Sequence, residues 1–244
     1  MKQNNWFDPF YIQSHLSEDE QRIQKNVREF CEKELKPNVI EMNRKNQFNI
    51  DLYPKFGDLG VLGQTLKTHG GSSTSNLAYG LVAYEFEKID SSYRSSISVQ
   101  SSLVIHPINE FGTENQKNKY LPELISGRKI GCFGLTESEA GSDPSSMKTT
   151  FKEVNDGYII SGSKNWITNA PIADVFIIWA LEEKKDYKSI KGFILDKNFK
   201  GLKTSQIENK TSLKISPTGQ IILDNVLVPK DSLLENTNGW KSVF

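Results

Sequence analysis

The chain has 244 residues, with 30 Lys and Arg balanced by 30 Asp and Glu for a formal net charge of +0. This length is ample for a large core and favours two domains over one. The balanced charge gives no field that would attract nucleic acid or an anionic membrane, and the longest apolar run, Val175 to Leu181, is too short to span a bilayer. We therefore expect neither a nucleic-acid partner nor a membrane association.

The N-terminal segment MKQNNWFDPF has neither the pattern of a secretory signal nor that of a mitochondrial import signal. The 2 cysteines, Cys31 and Cys132, lie in different predicted elements. This spacing favours a reducing compartment and predicts neither a disulfide framework nor a metal site. We expect a cytoplasmic protein.

Hydrophobic residues recur with a helical period before residue 130. The segment Ser17 to Glu20 is typical of a capping box, and Pro37 marks the end of the first predicted helix. A helix opening near Thr113 is predicted to end at Gly127. The apolar stripe of the first predicted helix is Ile23, Val27, Phe30 and Leu35. Two other predicted helices have the stripes Leu77, Leu81, Tyr84 and Ile89, and Tyr93, Ile97 and Val104, the second of these helices stopping at His106-Pro107.

After Gly131 the pattern becomes that of strands. Asn155-Asp156-Gly157 predicts a tight turn between KTTFKEV and YIISG. The pattern predicts further strands in VFIIWAL, GFILD, LKTSQI and QIILDNVLV. The expected fold class is α+β multidomain, with an all-α domain followed by an antiparallel β-barrel or sandwich. The predicted division is 1–130 for the helical domain, 131–237 for the β-domain and 238–244 for the start of a further helical domain.

Two motifs carry the chemistry, GCFGLTESEAGSD from Gly131 and GSKNWITN ending at Asn169. Small residues and hydroxyls allow a backbone to approach phosphates closely. Trp166 and Thr168 place a stacking plane and a hydroxyl on one face of a strand. Together the motifs favour a ligand that is half planar ring and half pyrophosphate. The alternative is an ordinary polar turn beside a core Trp, with Ser142 only capping a turn.

These motifs resemble those of the acyl-CoA dehydrogenases, FAD enzymes with an N-terminal helical domain, a central β-barrel and a C-terminal helical bundle. The stretch IDSSYRSSISVQSSLVIHPI at 89–108, the early DPF and LSEDE, and GSDPSSM resemble the glutaryl-CoA dehydrogenase branch. Ser138 stands where the family usually has Pro after LTE. The resemblance also implies a homotetramer for the complete protein.

The resemblance assigns roles to residues of both motifs. It implies that Thr136 donates to the pyrimidine edge of the flavin, that Trp166 packs on the ring and that Thr168 bonds near N5. It places Ser142 near the pyrophosphate and the acyl-CoA. The full set of implied cofactor-binding residues is Phe133, Leu135, Thr136, Gly141, Ser142, Trp166, Ile167 and Thr168.

Arg94, with Ser95 and Ser98, is the predicted substrate-binding group. The guanidinium of an arginine can pair with the terminal carboxylate of a glutaryl chain. In an apolar tunnel for a fatty acyl tail, burying an unpaired guanidinium would cost free energy. The alternative is a solvated helix arginine. The implied reaction is oxidative decarboxylation of glutaryl-CoA to crotonyl-CoA, with electrons leaving through an electron-transfer flavoprotein.

The family's catalytic base is a Glu of the C-terminal helical domain, and we expect that domain to be absent here. No catalytic residue is therefore nominated, and Glu85 and Glu137 are expected to be structural. Three hypotheses stay open: a fragment of a glutaryl-CoA dehydrogenase, a dehydrogenase of a monocarboxylic acyl-CoA, and a non-catalytic protein that binds flavin or acyl-CoA or pairs with a separate C-terminal chain.

Overall fold

The computed structural model describes residues 8–237 and 239–243. Most of the N-terminal segment used for the localisation prediction lies outside these ranges, as do Asn238 and Phe244 at the two ends of the predicted segment 238–244. None of the described helices combines the length and the apolar character that crossing a bilayer requires.

The first part of the chain is helical, as predicted. In the capping box that opens it, the Ser17 side chain accepts from the backbone N–H of Glu20 at 3.3 Å, and the Glu20 carboxylate accepts from the N–H of Ser17 at 3.0 Å. The α-helices are α1 Glu18–Phe30, α2 Val39–Lys45, α3 Leu52–Asp58, α4 Asn76–Glu87, α5 Ser91–Ser98, α6 His106–Phe111 and α7 Glu114–Ile125.

The boundaries of α7 also agree with the sequence. Thr113 caps its N-terminus and forms a second capping box with Gln116. Gly127 follows the helix with φ of 71°, and a Cβ at this position would lie 2.0 Å from the carbonyl oxygen of Tyr53. Only glycine tolerates both the left-handed backbone and this close approach.

The predicted stop at His106-Pro107 is wrong, because the helix continues to Phe111. A π-helical segment, Val99–Ile105, joins α5 to α6. A proline ring normally clashes with the carbonyl four residues earlier and removes one hydrogen bond of the α-pattern. The wider π-turns immediately before Pro107 change that pattern and accommodate the ring.

The predicted apolar stripe of α4 is also partly wrong. Leu81 is buried, but Leu77 and Tyr84 are 49% and 52% exposed. The buried apolar face instead contains Val82 and Phe86. This helix has apolar residues on several sides, so periodicity could not identify the buried side.

An aromatic cluster joins α1, α3 and α4. The ring centroids of Phe30 and Phe56 are 6.0 Å apart, and those of Phe56 and Phe86 are 5.3 Å apart, both edge-on. Beside this cluster, Arg28 of α1 binds the buried carboxylate of Glu85 on α4 at 2.9 Å. The aromatic cluster and the ion pair thus hold α1, α3 and α4 together.

The second part of the chain consists of strands. The hairpin predicted at Asn155-Asp156 is present, with Val154 paired to Gly157 across the turn. The strands are β1 Gly131–Gly134, β2 Thr150–Val154, β3 Gly157–Thr168, β4 Val175–Glu182, β5 Lys191–Asp196, β6 Leu202–Gln206 and β7 Thr218–Pro229.

The sheet is mixed, which corrects the expectation of an antiparallel barrel. Its order is β1-β4-β2-β3-β7-β6, with β5 also paired to β4. The pairs β1–β4 and β2–β4 are parallel, and the other pairs are antiparallel. Parallel neighbours need a long crossover, and here the crossover includes strands instead of a helix. The continuous apolar run of β4 is typical of a strand buried on both faces, as parallel strands are, but such a run does not by itself give the direction of the strand.

The curled sheet, a half-barrel, is buried on both faces at β4. Along β4, Ile177 and Trp179 belong to the core shared with the helices, whereas Phe176 and Ile178 belong to the interior of the curl. This explains why β4 is a continuous apolar run.

Candidate functional site

The end of β1 carries the first three predicted cofactor-binding residues. Phe133 is half-buried and meets Trp179 edge-on at 6.1 Å, and Leu135 is buried in the core shared with the helices. Thr136 is half-buried, and its carbonyl oxygen accepts from the backbone N–H of Asn165 at 2.8 Å. The end of β1 is thus joined directly to β3, one residue before Trp166.

Trp166 lies in an irregular part of β3. The pairing of β3 with β7 shifts register between Lys164 and Ile167, and Trp166 has φ of 61°. Its side chain is 58% exposed, so the alternative of a core Trp is wrong. A non-glycine residue in this conformation is uncommon and carries strain, which makes Trp166 a candidate for a functional role.

The residues after Trp166 return to regular alternation. Ile167 is buried in the interior of the curl, so its side chain contacts the core and leaves only its backbone near the outer face. Thr168 is half-buried and pairs with Thr218 of β7. The Thr136 and Thr168 hydroxyls have no hydrogen-bond partner within the described part of the chain.

The loop after β1 contains the predicted phosphate-binding residues. Glu137 and Ala140 exchange two backbone hydrogen bonds of 3.1 and 3.2 Å, which closes a tight turn. Gly141 and Ser142 follow this turn and are exposed, and a Cβ on Gly141 would meet nothing within 4 Å. The side chain that caps the next short helical turn is Asp143, not Ser142.

A buried ion pair that the sequence did not predict lies under these residues. Lys164 Nζ donates to Glu137 Oε1 at 2.9 Å and to the carbonyl oxygen of Leu135 at 3.0 Å. The side chains of Lys164 and Glu137 are 0% and 7% exposed. The same carboxylate accepts from the backbone N–H groups of Lys148 at 2.6 Å and Thr149 at 3.0 Å. The only sequence signal was a charged residue inside each motif.

The pKa values agree with a pair that is structural near neutral pH. Burial alone would raise the pKa of Glu137, but the Lys164 charge and the backbone donors bring it below its ordinary value. Burial lowers the pKa of Lys164 to about 8, against the opposing effect of Glu137. Glu137 is therefore ionised and fully engaged, and is not available as a base.

Arg94 lies on α5 with its side chain 37% exposed. Its Nε donates to the carboxylate of Glu87 at 2.7 Å, and the same carboxylate accepts from the Ser91 hydroxyl. The two terminal amino groups of Arg94 have no partner among the described residues. Ser95 and Ser98 are half-buried.

The structure thus brings Thr136 and Trp166 together through Asn165, with Thr168 further along the same strand. It places Arg94, Ser95 and Ser98 on one helix and Gly141 and Ser142 in an exposed loop. That all of them surround a single ligand stays a prediction. Glu85, like Glu137, is buried and paired with a cation, as expected of a structural carboxylate.

Other features of the described residues lie away from these positions. A cavity of about 520 Å³ lies in the helical part, and none of the predicted binding residues lines it. Its walls are Glu34, Asn38, Met42, Gln47, Phe48, Asn49, Ile50, Leu52 and Tyr93. No group of three or more His, Cys, Asp or Glu residues in the described ranges is gathered as metal ligands would be.

The residues around the proposed ring position suit a flavin. An exposed indole offers a stacking plane, and two hydroxyls offer donors to a heteroaromatic edge. The nearby carboxylate of Glu137 is turned inward and neutralised by Lys164, so it would not repel a phosphate. The donor set therefore fits FAD.

Comparison with known proteins agrees with the fold. The acyl-CoA dehydrogenase N-terminal domain matches residues 17–128, and the middle domain of the same family matches residues 132–226. A glutaryl-CoA dehydrogenase from Mycobacterium smegmatis, in complex with FADH2, superposes with a TM-score of 0.93 and 38% identity over 96% of this chain and 60% of that chain.

Two curated relatives have equal identity and different substrates in their names. The short-chain specific acyl-CoA dehydrogenase of Clostridium acetobutylicum is 35% identical over 90% of this chain and 59% of its own length. The glutaryl-CoA dehydrogenase of Desulfococcus multivorans is 35% identical over 94% of this chain and 61% of its own length. The chain spans about three fifths of the length of each of these two relatives. It belongs to the acyl-CoA dehydrogenase family, of which it contains the N-terminal and middle domains.

Proposed function

We propose that the chain forms the FAD- and acyl-CoA-binding part of an acyl-CoA dehydrogenase. The observation that carries this proposal is the exposed, left-handed Trp166 joined through Asn165 to Thr136, in a chain that matches both family domains. FAD, when bound, supplies the hydride acceptor for oxidation of the acyl chain. Electron-transfer flavoprotein is the acceptor of the electrons in this proposal, and a homotetramer is the assembly of the complete enzyme.

The residues of this chain have binding and orienting roles in the proposal. Trp166 packs against the flavin ring, and the Thr136 and Thr168 hydroxyls donate to its polar edge. Gly141 leaves room for close approach of the phosphates, and Ser142 donates to them or to the acyl-CoA. Phe133 and Leu135 keep water from the ring, and Ile167 contributes its backbone.

No residue in the described ranges serves as the catalytic base in this proposal. Two carboxylates next to the site, Glu87 and Glu137, are bound to cations. Removal of the α-proton is assigned, as the family resemblance implies, to a Glu of the C-terminal helical domain.

Glutaryl-CoA is the proposed substrate, and Arg94 is the proposed specificity residue. Glu87 occupies only Nε of Arg94 and holds the guanidinium in place, which leaves its terminal amino groups for a second carboxylate. Arg binds carboxylates through such paired donors. Ser95 and Ser98, on the same helix, add hydroxyl donors.

The same ion pair also favours a second candidate, oxidation of a monocarboxylic acyl-CoA. In that case Glu87 is the permanent partner of Arg94, and the guanidinium has no role in substrate binding. The equal identity to a short-chain enzyme and a glutaryl-CoA enzyme is compatible with either substrate.

A chimera tests the proposed function. Residues 1–237 are joined to the C-terminal part of the Desulfococcus glutaryl-CoA dehydrogenase, loaded with FAD and mixed anaerobically with glutaryl-CoA, butyryl-CoA or free CoA. We expect bleaching of the flavin with an acyl-CoA and none with free CoA. A chimera that binds FAD but is bleached by neither thioester would contradict the proposal.

A further inference from the structure

The buried pair Lys164–Glu137 connects three segments of the candidate site. Lys164 belongs to β3, and its Nζ reaches the carbonyl oxygen of Leu135 at the end of β1. Glu137 begins the loop that follows β1, and its carboxylate also holds the backbone N–H groups of Lys148 and Thr149 where that loop ends. Both ends of the loop that carries Gly141 and Ser142 are thus fixed to one carboxylate.

The pair lies directly beside the irregular part of β3. Lys164 is the last residue paired with β7, opposite Ile221, before the register shifts. The next residue, Asn165, donates its backbone N–H to Thr136 O at 2.8 Å and its side-chain amide to Ser138 Oγ at 3.2 Å. Trp166, at φ of 61°, follows at once. The left-handed backbone therefore has an anchor on its N-terminal side.

Stability alone does not account for an ion pair at this position. Burying two charges costs desolvation free energy, and replacing a buried pair by apolar residues of similar volume is often neutral or stabilising. The pair is almost completely shielded from water, with Met147 Sδ 3.9 Å from Lys164 Nζ and the Gly134 backbone beside the Lys164 stem. What an apolar pair could not supply is the set of directed hydrogen bonds to Leu135, Lys148 and Thr149.

We propose that Lys164 and Glu137 are positioning residues of the flavin site. They hold the end of β1, the loop 137–149 and the irregular part of β3 in one arrangement, so that Thr136 and Trp166 face the cofactor together. The inference rests on the proposed FAD function for its consequence, but the positioning itself is a property of the chain without cofactor.

Three variants of the 244-residue chain separate positioning from stability. Lys164→Met leaves a buried carboxylate without its cation, Glu137→Gln keeps the volume and an acceptor for Nζ, and the double variant removes both charges. The matched control is Arg28→Met with Glu85→Gln, because that pair also has a buried carboxylate but joins α1 to α4.

Each variant is measured in three ways, after its urea unfolding curve has shown the conditions under which it is folded. Hydrogen exchange reports the protection of the Asn165 N–H. The indole N–H signal of Trp166, assigned by its loss in Trp166→Phe, reports the surroundings of that ring in ¹⁵N NMR spectra. Titration with FAD reports the dissociation constant and the absorption spectrum of the bound flavin.

In the double variant we expect exchange of the Asn165 N–H to become at least about tenfold faster relative to amides of α7. We expect the Trp166 signal to shift, and FAD binding to weaken by about tenfold or more, as for other supporting residues of a site. Glu137→Gln should show the same changes at smaller amplitude, and it decides the outcome if the double variant does not fold. The control pair should leave all three readouts of the site unchanged.

Unchanged Asn165 protection and an unchanged Trp166 signal in the folded variants would overturn the inference, as would equal effects of the control pair. If the unmodified chain shows no FAD binding, the cofactor proposal fails for this chain. The amide and indole measurements then still decide whether the pair positions Trp166.

Discussion

Replacing Arg94 by Ala tests the proposed substrate. Arg94 is partly exposed and contacts Glu87 through Nε alone, so the structural contribution of this ion pair is that of a surface salt bridge, about 0–1 kcal/mol. The urea midpoint of the chain should therefore change little. A charge-assisted hydrogen bond to a substrate carboxylate is worth roughly 1.5–3 kcal/mol, and partial exposure favours the lower end of that range.

In the chimera, this value corresponds to about a tenfold loss in kcat/KM for glutaryl-CoA. Butyryl-CoA, which lacks the second carboxylate, should lose much less. Arg128→Ala is the matched control, because Arg128 also binds a surface glutamate, Glu123, at 2.8 Å but lies outside the proposed site. The assay compares initial rates for both thioesters. Equal losses on the two substrates would refute the substrate reasoning and favour a structural Arg94.

Three further predictions concern stability and the isolated chain. The folded-state pKa values of Glu85 and Glu137 lie below the ordinary value of 4.5, so the stability that these carboxylates contribute is complete above about pH 4.5 and is lost as the pH decreases further. The urea concentration at the unfolding midpoint should therefore decrease as the pH is lowered below 4.5, and it should decrease less steeply in Glu85→Gln. Gly127→Ala forces a Cβ towards Tyr53 O at a positive φ and should destabilise the chain by about 1–3 kcal/mol, measured by urea unfolding, with Gly80→Ala as a control that has open space. The 244-residue chain with FAD and glutaryl-CoA should show no prompt anaerobic bleaching, since loss of a general base costs roughly 10²–10⁴ in rate; stoichiometric bleaching would mean that a carboxylate within it is the base.

Local signals in the sequence identified much of the helical part. The two capping boxes, at Ser17 and Thr113, and the glycine after α7 depend on nearby residues and were correctly predicted. The stop at His106-Pro107 was not, because a π-helical segment depends on tertiary packing. The parallel pairing of β1 with β4 was missed because the continuous apolar run of β4 indicates burial on both faces but does not give the strand direction.

In the candidate site, too, some features were predicted from the sequence and others were not. The motif around Trp166 predicted a stacking plane, with a core Trp as the alternative, and the structure shows the ring exposed. The contact of Lys164 with Glu137 joins residues from two motifs, and no spacing rule within either motif predicts it. The pairing of Arg94 with Glu87 likewise spans two helices and changes how the arginine is interpreted.

Binding of FAD by way of Trp166 is the central claim, and a titration of the 244-residue chain tests it most directly. The chain and its Trp166→Ala variant are titrated with FAD, and quenching of flavin fluorescence is followed. Leu227→Ala, which removes another exposed apolar side chain, on β7, is the control. We predict saturable, weak binding that Trp166→Ala weakens by about tenfold, equivalent to about 1.4 kcal/mol of lost ring packing, and that Leu227→Ala leaves unchanged. Saturable binding with the same dissociation constant in all three proteins would contradict the account.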